Sequence, residues 1–169
     1  VGSAKVKENT VGANSIYGNG GIGVDIEAAS SGDGAGLPVA NICSRDNTWG
    51  NRQASAPVIT SASLIGGILT VAGEACPDAV VDIYTASSDS EPESYQGTVQ
   101  ADASTGVFLI AVVVAPGEGA GEATALQTNT DDETGEAASP LVIVAPCDLD
   151  GDGVDGSISS CSGLDCDDA

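Results

Sequence analysis

The sequence predicts an all-β protein built around an antiparallel β-sandwich. Three observations predict it. Residues 57–146 break into seven apolar runs of strand length. Gly, Asp and Pro separate these runs at even spacing. None of the runs has a helical period.

The first stretch, residues 1–28, contains NTVGANSIYGNGGIGVDI. Ile16, Ile22, Val24 and Ile26 come in short bursts with Asn and Gly between them. Asn and Gly tolerate left-handed corners, so short strands bent at such corners suit a β-solenoid coil. The stretch resembles the last coils of right-handed parallel β-helices. One coil cannot bury its own apolar face. The alternative is a Gly/Asn-rich hairpin lying on the next domain. Residues 29–56 are rich in Ser, Gly, Asp and Asn and read as a linker loop, pinned to a neighbouring surface by Trp49, the only Trp.

The seven runs are 57–63, 67–73, 79–86, 95–102, 106–114, 121–128 and 137–144. Within the third, alternation puts Val80, Asp82 and Tyr84 on one face and Val81, Ile83 and Thr85 on the other. The stretch 101–106 is a turn whose Gly106 lets the chain reverse. Pro140 cannot donate to a ladder, so the last run is expected at a sheet edge. The motifs Pro57–Thr60, Gly67–Gly73, Val81–Tyr84, Asp102–Phe108 and Ala115–Ala125 resemble bacterial immunoglobulin-like modules that follow β-helices in secreted proteins. That resemblance implies an Ig-like sandwich over 57–146 and is nearly silent on activity.

The tail, 147–169, carries the motif with chemistry. The chain has 25 acidic and 4 basic residues, a formal charge of −21, and no Lys or Arg from Ala54 onward. The tail holds seven of the acids. Asp148, Asp150 and Asp152 have D-x-D-x-D spacing, followed at once by Gly153. Alternate carboxylates on a curled loop converge on a hard cation. The Val154 carbonyl falls where a calcium loop uses a backbone oxygen. Position twelve is Ser159 and not Glu, so the remaining oxygens are expected from Asp165, Asp167 and Asp168. The string resembles the D-x-D-G-D-G…D-C-D-D metal-binding repeats of secreted bacterial proteins, and thrombospondin type-3 calcium repeats. Carried over residue by residue, the resemblance points to Asp148, Asp150, Asp152, Asp165 and Asp167 as ligands, with Asp155 and Asp168 next in order. All-oxygen ligation favours calcium over zinc or copper. Another divalent cation is the alternative, copper included, since some relatives of the repeat are linked to it. A disordered, solvated acidic tail is the competing expectation. Clustered carboxylates repel one another, so metal binding and tail folding are expected to be one event.

Five cysteines (Cys43, Cys76, Cys147, Cys161 and Cys166) in a chain without His or a redox motif predict disulfides and an oxidising, extracellular or cell-surface location. Spacing leaves the connectivity open. The favoured assignment is one bridge within the tail and one between Cys43 and Cys76. The odd count leaves one thiol free or paired outside the chain. The opening VGSAKVKENT has no apolar signal region, and DCDDA stops within the repeat, so an excised segment of a longer protein is expected.

The charge excludes nucleic acid and anionic lipid as partners. No 18-residue apolar stretch exists to span a membrane. Without His there is no imidazole acid–base pair or triad. Glu91/Glu93 and Asp131/Asp132 have the residue types for glycoside hydrolysis, but turn-like surroundings predict solvated side chains. The expectation is therefore a non-enzymatic surface spacer, adhesin stalk or filament subunit, stiffened by calcium. It would associate with itself or with neighbouring modules, the first 28 residues adding as a strand to a neighbour. The competing readings are the C-terminal part of a β-helical polysaccharide-acting enzyme and a calcium-dependent adhesion module.

Overall fold

The structure, a computed structural model, describes residues 8–18, 24, 43, 54–86, 91–115 and 121–144. These form an all-β molecule of antiparallel sheets. The strands are β1 (Val58–Ile65), β2 (Ile68–Glu74), β3 (Val80–Ala86), β4 (Ser94–Gln100), β5 (Val107–Val113), β6 (Glu122–Thr128) and β7 (Leu141–Val142). One sheet has the order β1-β2-β5 and the other β4-β3-β6-β7. Each of the seven expected runs overlaps one of these strands, with ends that differ by a few residues.

The two sheets enclose one core. Ile59, Ala62, Leu69, Val71 and Phe108 enter it from the three-stranded sheet, and Val81, Ile83, Ala123 and Ala125 from the four-stranded sheet. Leu69, Val71, Val81 and Ile83 are wholly buried, each contributing about 1.5–3 kcal/mol by leaving water. The alternation expected in β3 places Val81 and Ile83 in this core. Gly97 of β4 lies against Val112 and Ile110 of β5, where a Cβ would come within 3.0 Å and 3.2 Å of their side chains. The missing side chain lets the two sheet margins close.

The β2–β5 and β3–β6 ladders are regular, while β1–β2 is broken between Ile59 and Ser61, and β3–β4 between Ile83 and Tyr84. The turn before β5 matches its sequence signature. Gly106 has φ +75° and donates its N–H to the Asp102 carbonyl at 2.8 Å. A Cβ there would lie 2.1 Å from the Ala75 carbonyl oxygen, so glycine is required twice over.

The last run is shorter than expected. Its strand is only Leu141 and Val142, paired with β6 at the sheet edge where Pro140 placed them, while Ala138 donates separately to the Ala125 carbonyl at 2.8 Å. The chain then leaves for the other sheet. Leu64 donates to the Val144 carbonyl at 2.9 Å and Val144 to the Ala62 carbonyl at 3.0 Å, a parallel bridge to β1.

Residues 8–18, part of the segment read as solenoid-like, contain no strand and lie on the outer face of the four-stranded sheet. Among the described residues no helix is long and apolar enough to cross a membrane.

Candidate functional site

The tail ligands Asp148, Asp150, Asp152, Val154, Asp165, Asp167 and Asp168 all lie outside the described residues, as do Trp49 and Cys147, Cys161 and Cys166. Among the described residues no three Cys, Asp or Glu side chains are grouped to hold a metal ion. Among the polar features that the structure does place are a strapped tyrosine, an ordered acidic loop, the Asp102 turn and a buried amide beside a disulfide.

The strap is residues 8–18. Alternation in β3 turns Tyr84 away from the main core, which would leave its ring in water. It is instead wholly buried, with Leu126 and Ala137, under Val11 and Val24. Backbone bonds hold the strap down. Ile16 donates to the Pro92 carbonyl at 2.8 Å, and Thr134 donates to the Asn9 carbonyl at 3.0 Å. The Val11 N–H donates to Thr134 Oγ1 at 2.7 Å. Ser15 Oγ donates to the Glu93 carbonyl, and the Gly18 N–H to Glu91 Oε2. Gly12 passes so close to β3 that a Cβ would meet Asp82 Oδ2 at 2.7 Å.

The Tyr84 ring meets Tyr95 edge-on, with centroids 5.7 Å apart. Its hydroxyl is buried without a hydrogen-bond partner of normal geometry. Burial, reinforced by the negative charge of Asp82, pushes its pKa up to about 12, against a small opposing pull from the backbone of Ala13 and Asn14. The phenol therefore stays protonated and cannot serve as a base near neutrality. Because the folded value lies above the unfolded one, this contribution to stability is complete below about pH 10. It disappears as pH rises through about 12. Tyr84→Phe is expected to raise stability by about 1 kcal/mol at neutral pH, since it removes an unpaired buried hydroxyl and keeps the ring. Difference absorbance titration against the parent should show the lost phenolate appearing only near pH 12. A destabilised Phe variant would mean that the hydroxyl is bonded after all.

Asn129 organises the loop between β6 and β7. Its Oδ1 accepts the N–H of Asp131 at 2.9 Å and of Glu133 at 3.2 Å. Asp131 and Asp132 sit in this turn, as expected, with Asp132 exposed to solvent. Glu91 differs from expectation: it is only 4% exposed and takes the Gly18 N–H, because the strap covers it. Glu133 and Glu136 are also wholly buried. No periodicity marks these acids as buried: the strap meets Glu91 from far along the chain, and the loop folds Glu133 back onto Asn129.

Asp102 opens the β4–β5 turn. Its Oδ1 accepts the Thr105 N–H at 2.8 Å and the Ser104 N–H at 2.9 Å. These bonds, with one from the Thr105 hydroxyl, hold its carboxyl below the usual value. The turn thus gains stability above that usual value and loses it as pH falls through the depressed one.

The last feature is Gln127 of β6, 1% exposed. Its Oε1 accepts the Cys76 N–H at 2.7 Å, and its Nε2 donates to the Ser55 carbonyl. Cys76 forms a disulfide with Cys43, the pairing favoured on the sequence. The amide thus ties β6, the turn after β2 and the entry to β1 together in the interior.

No protein-family model matches the chain, and comparison with curated proteins gives no match.

Proposed function

We propose that this chain is a non-catalytic extracellular structural module, an Ig-like sandwich whose Asp-rich tail folds around calcium. The observation that carries the proposal is the Asp148-x-Asp150-x-Asp152-Gly153 spacing in a chain of charge −21 without His. Such spacing suits a hard cation, and such charge makes a compact tail favourable only when it is neutralised.

The strand order supports the Ig-like part. Numbered along the chain, a constant-type immunoglobulin sandwich has sheets 1-2-5-4 and 3-6-7. This chain has 1-2-5 and 4-3-6-7, so only the fourth strand has changed sheet. The Cys43–Cys76 disulfide supports an oxidising compartment and therefore a secreted or surface location. In this reading the module's partners are other copies or neighbouring modules of the same assembly.

Calorimetric titration of the full chain with calcium tests the central claim. Heat should be released or absorbed with saturable stoichiometry. Thermal melting should rise by roughly 5–10 °C at a free calcium concentration about 100 times Kd, the equivalent of about 2.7 kcal/mol. Asp148→Asn combined with Asp150→Asn and Asp152→Asn should remove the effect. Identical melting in calcium and EDTA, with no binding heat, would sink the calcium claim.

A further inference from the structure

We propose that two copies of this chain join edge to edge through β5, forming a six-stranded antiparallel sheet across a twofold axis. The inference rests on the assembly part of the function proposed above and names its contact. It needs nothing from the tail.

The four sheet edges are not equivalent. A row of free N–H and C=O groups invites another strand, and protected edges carry a bulge, a proline, a short strand or a cover. β1 has a register break between Ile59 and Ser61, and Val144 caps its outer margin. β7 is two residues long and follows Pro140. β4 has a register break against β3 and the polar sequence SYQGTVQ. Among the described residues β5 carries no bulge, proline or covering segment, and at its edge only Val107 is engaged, accepting the Asp102 N–H. It is seven residues, VFLIAVV, in unbroken register with β2.

The direction of its free groups follows from the ladder. Val114 donates to Gly67, on the β2 side, and bonding direction alternates along a strand. The backbone groups of Leu109, Ala111 and Val113 therefore point away from β2. The same residues present their side chains on the outer face of the sheet, where Leu109 is 64% and Val113 85% exposed.

Charge selects the occupant. A chain of −21 repels copies of itself wherever carboxylates would meet. The strands β1, β2 and β5 carry one charged residue between them, Glu74, at the far end of the outer face from Ile65, Ile68 and Val113. Two β5 edges therefore meet without opposing carboxylates. A basic strand from another protein would be drawn to the acidic loops, whereas a neutral edge fits its own copy. The strap at 8–18 is already engaged on its own chain. A twofold between the two Ile110 residues sets Leu109 of one copy opposite Ala111 of the other, and Val107 opposite Val113. The Leu109–Ala111 pairs then exchange both hydrogen bonds, the Val107 carbonyl being already engaged by the Asp102 N–H, and the interface closes on itself.

The test is sedimentation of the full chain from micromolar to millimolar concentration at about 0.15 M salt, in EDTA and in calcium. A dimer is expected in both. Amide exchange at Leu109, Ala111 and Val113 should slow at least about tenfold in the dimer. Leu109→Glu with Ala111→Glu changes only side chains on the outer face and should give a folded monomer. Thr70→Glu, on the same outer face but within the sheet, should still dimerise. A monomer throughout, association only in calcium, unprotected β5 amides, or equal loss with Thr70→Glu would each overturn the proposal. Association only in calcium would overturn the β5 contact and leave the calcium reading standing. A dimer in EDTA with no calcium heat would support the β5 contact and remove the calcium reading instead.

Discussion

Phe108→Ala is expected to lower the free energy of unfolding by about 3–5 kcal/mol. A single domain holds only about 5–15 kcal/mol, so the variant should lie near the limit of folding. Phe108 is the chain's only Phe and is 2% exposed. It sits on β5 opposite Gly73 of β2 in the ladder. Its ring fills the space over that glycine: a Cβ on Gly73 would meet Phe108 Cζ at 2.6 Å. Removing the ring leaves a cavity that neighbouring strands, locked in register, cannot collapse. Gly73→Ala does not refill it, because the same Cβ would also meet the Val58 carbonyl oxygen at 2.2 Å. Urea denaturation of parent, single and double variants should show no rescue in the pair. A loss under about 1 kcal/mol for Phe108→Ala would mean that the core is looser than the structure indicates.

Cys43→Ser should cost about 3–4 kcal/mol by releasing a cross-link between residues 33 apart, most of it through the freer unfolded chain. The rest of the site adds to the loss. The bridge anchors Cys76, whose N–H is held by Gln127, and Gln127 in turn holds Ser55. The bridge thus ties residue 43 to the buried amide that joins the entry of β1 to β6. Guanidinium denaturation of the variant, compared with parent in reducing buffer, measures the effect and separates this bridge from any in the tail. Equal stability of oxidised parent and variant would show that the bridge constrains nothing.

Much of the strand inventory was legible in the sequence, for local reasons. Period-two alternation showed which side chains of β3 face the core, and Val81 and Ile83 do so. Gly106 and Asp102 announced their turn because its φ and its two N–H donors suit those residue types. Pro140 announced an edge because it lacks an N–H.

The strap was legible only as the alternative to a solenoid coil, a hairpin lying on the next domain, and neither its strandless form nor what it covers was read. Val11 and Ile16 looked like fragments of a solenoid coil, and the apolar outer residues Tyr84, Leu126 and Ala137 gave no sign of what would cover them. Glu91 looked solvated because its neighbours are polar, and only the strap's passage buries it. Each miss involves contacts across dozens of residues, which no local pattern encodes.

Residue order alone was thus enough to locate strands and turns, the excess of carboxylates, and the spacing of the tail ligands. These follow from steric limits on each residue and from charge, which act over a few residues. Packing in three dimensions settled which strands are neighbours, that β5 is the last strand of its sheet, and that residues 8–18 cover Tyr84. Pairing joins distant segments through backbone groups that every residue carries, so side-chain pattern sets a strand's face and leaves its partner to the packing of the whole.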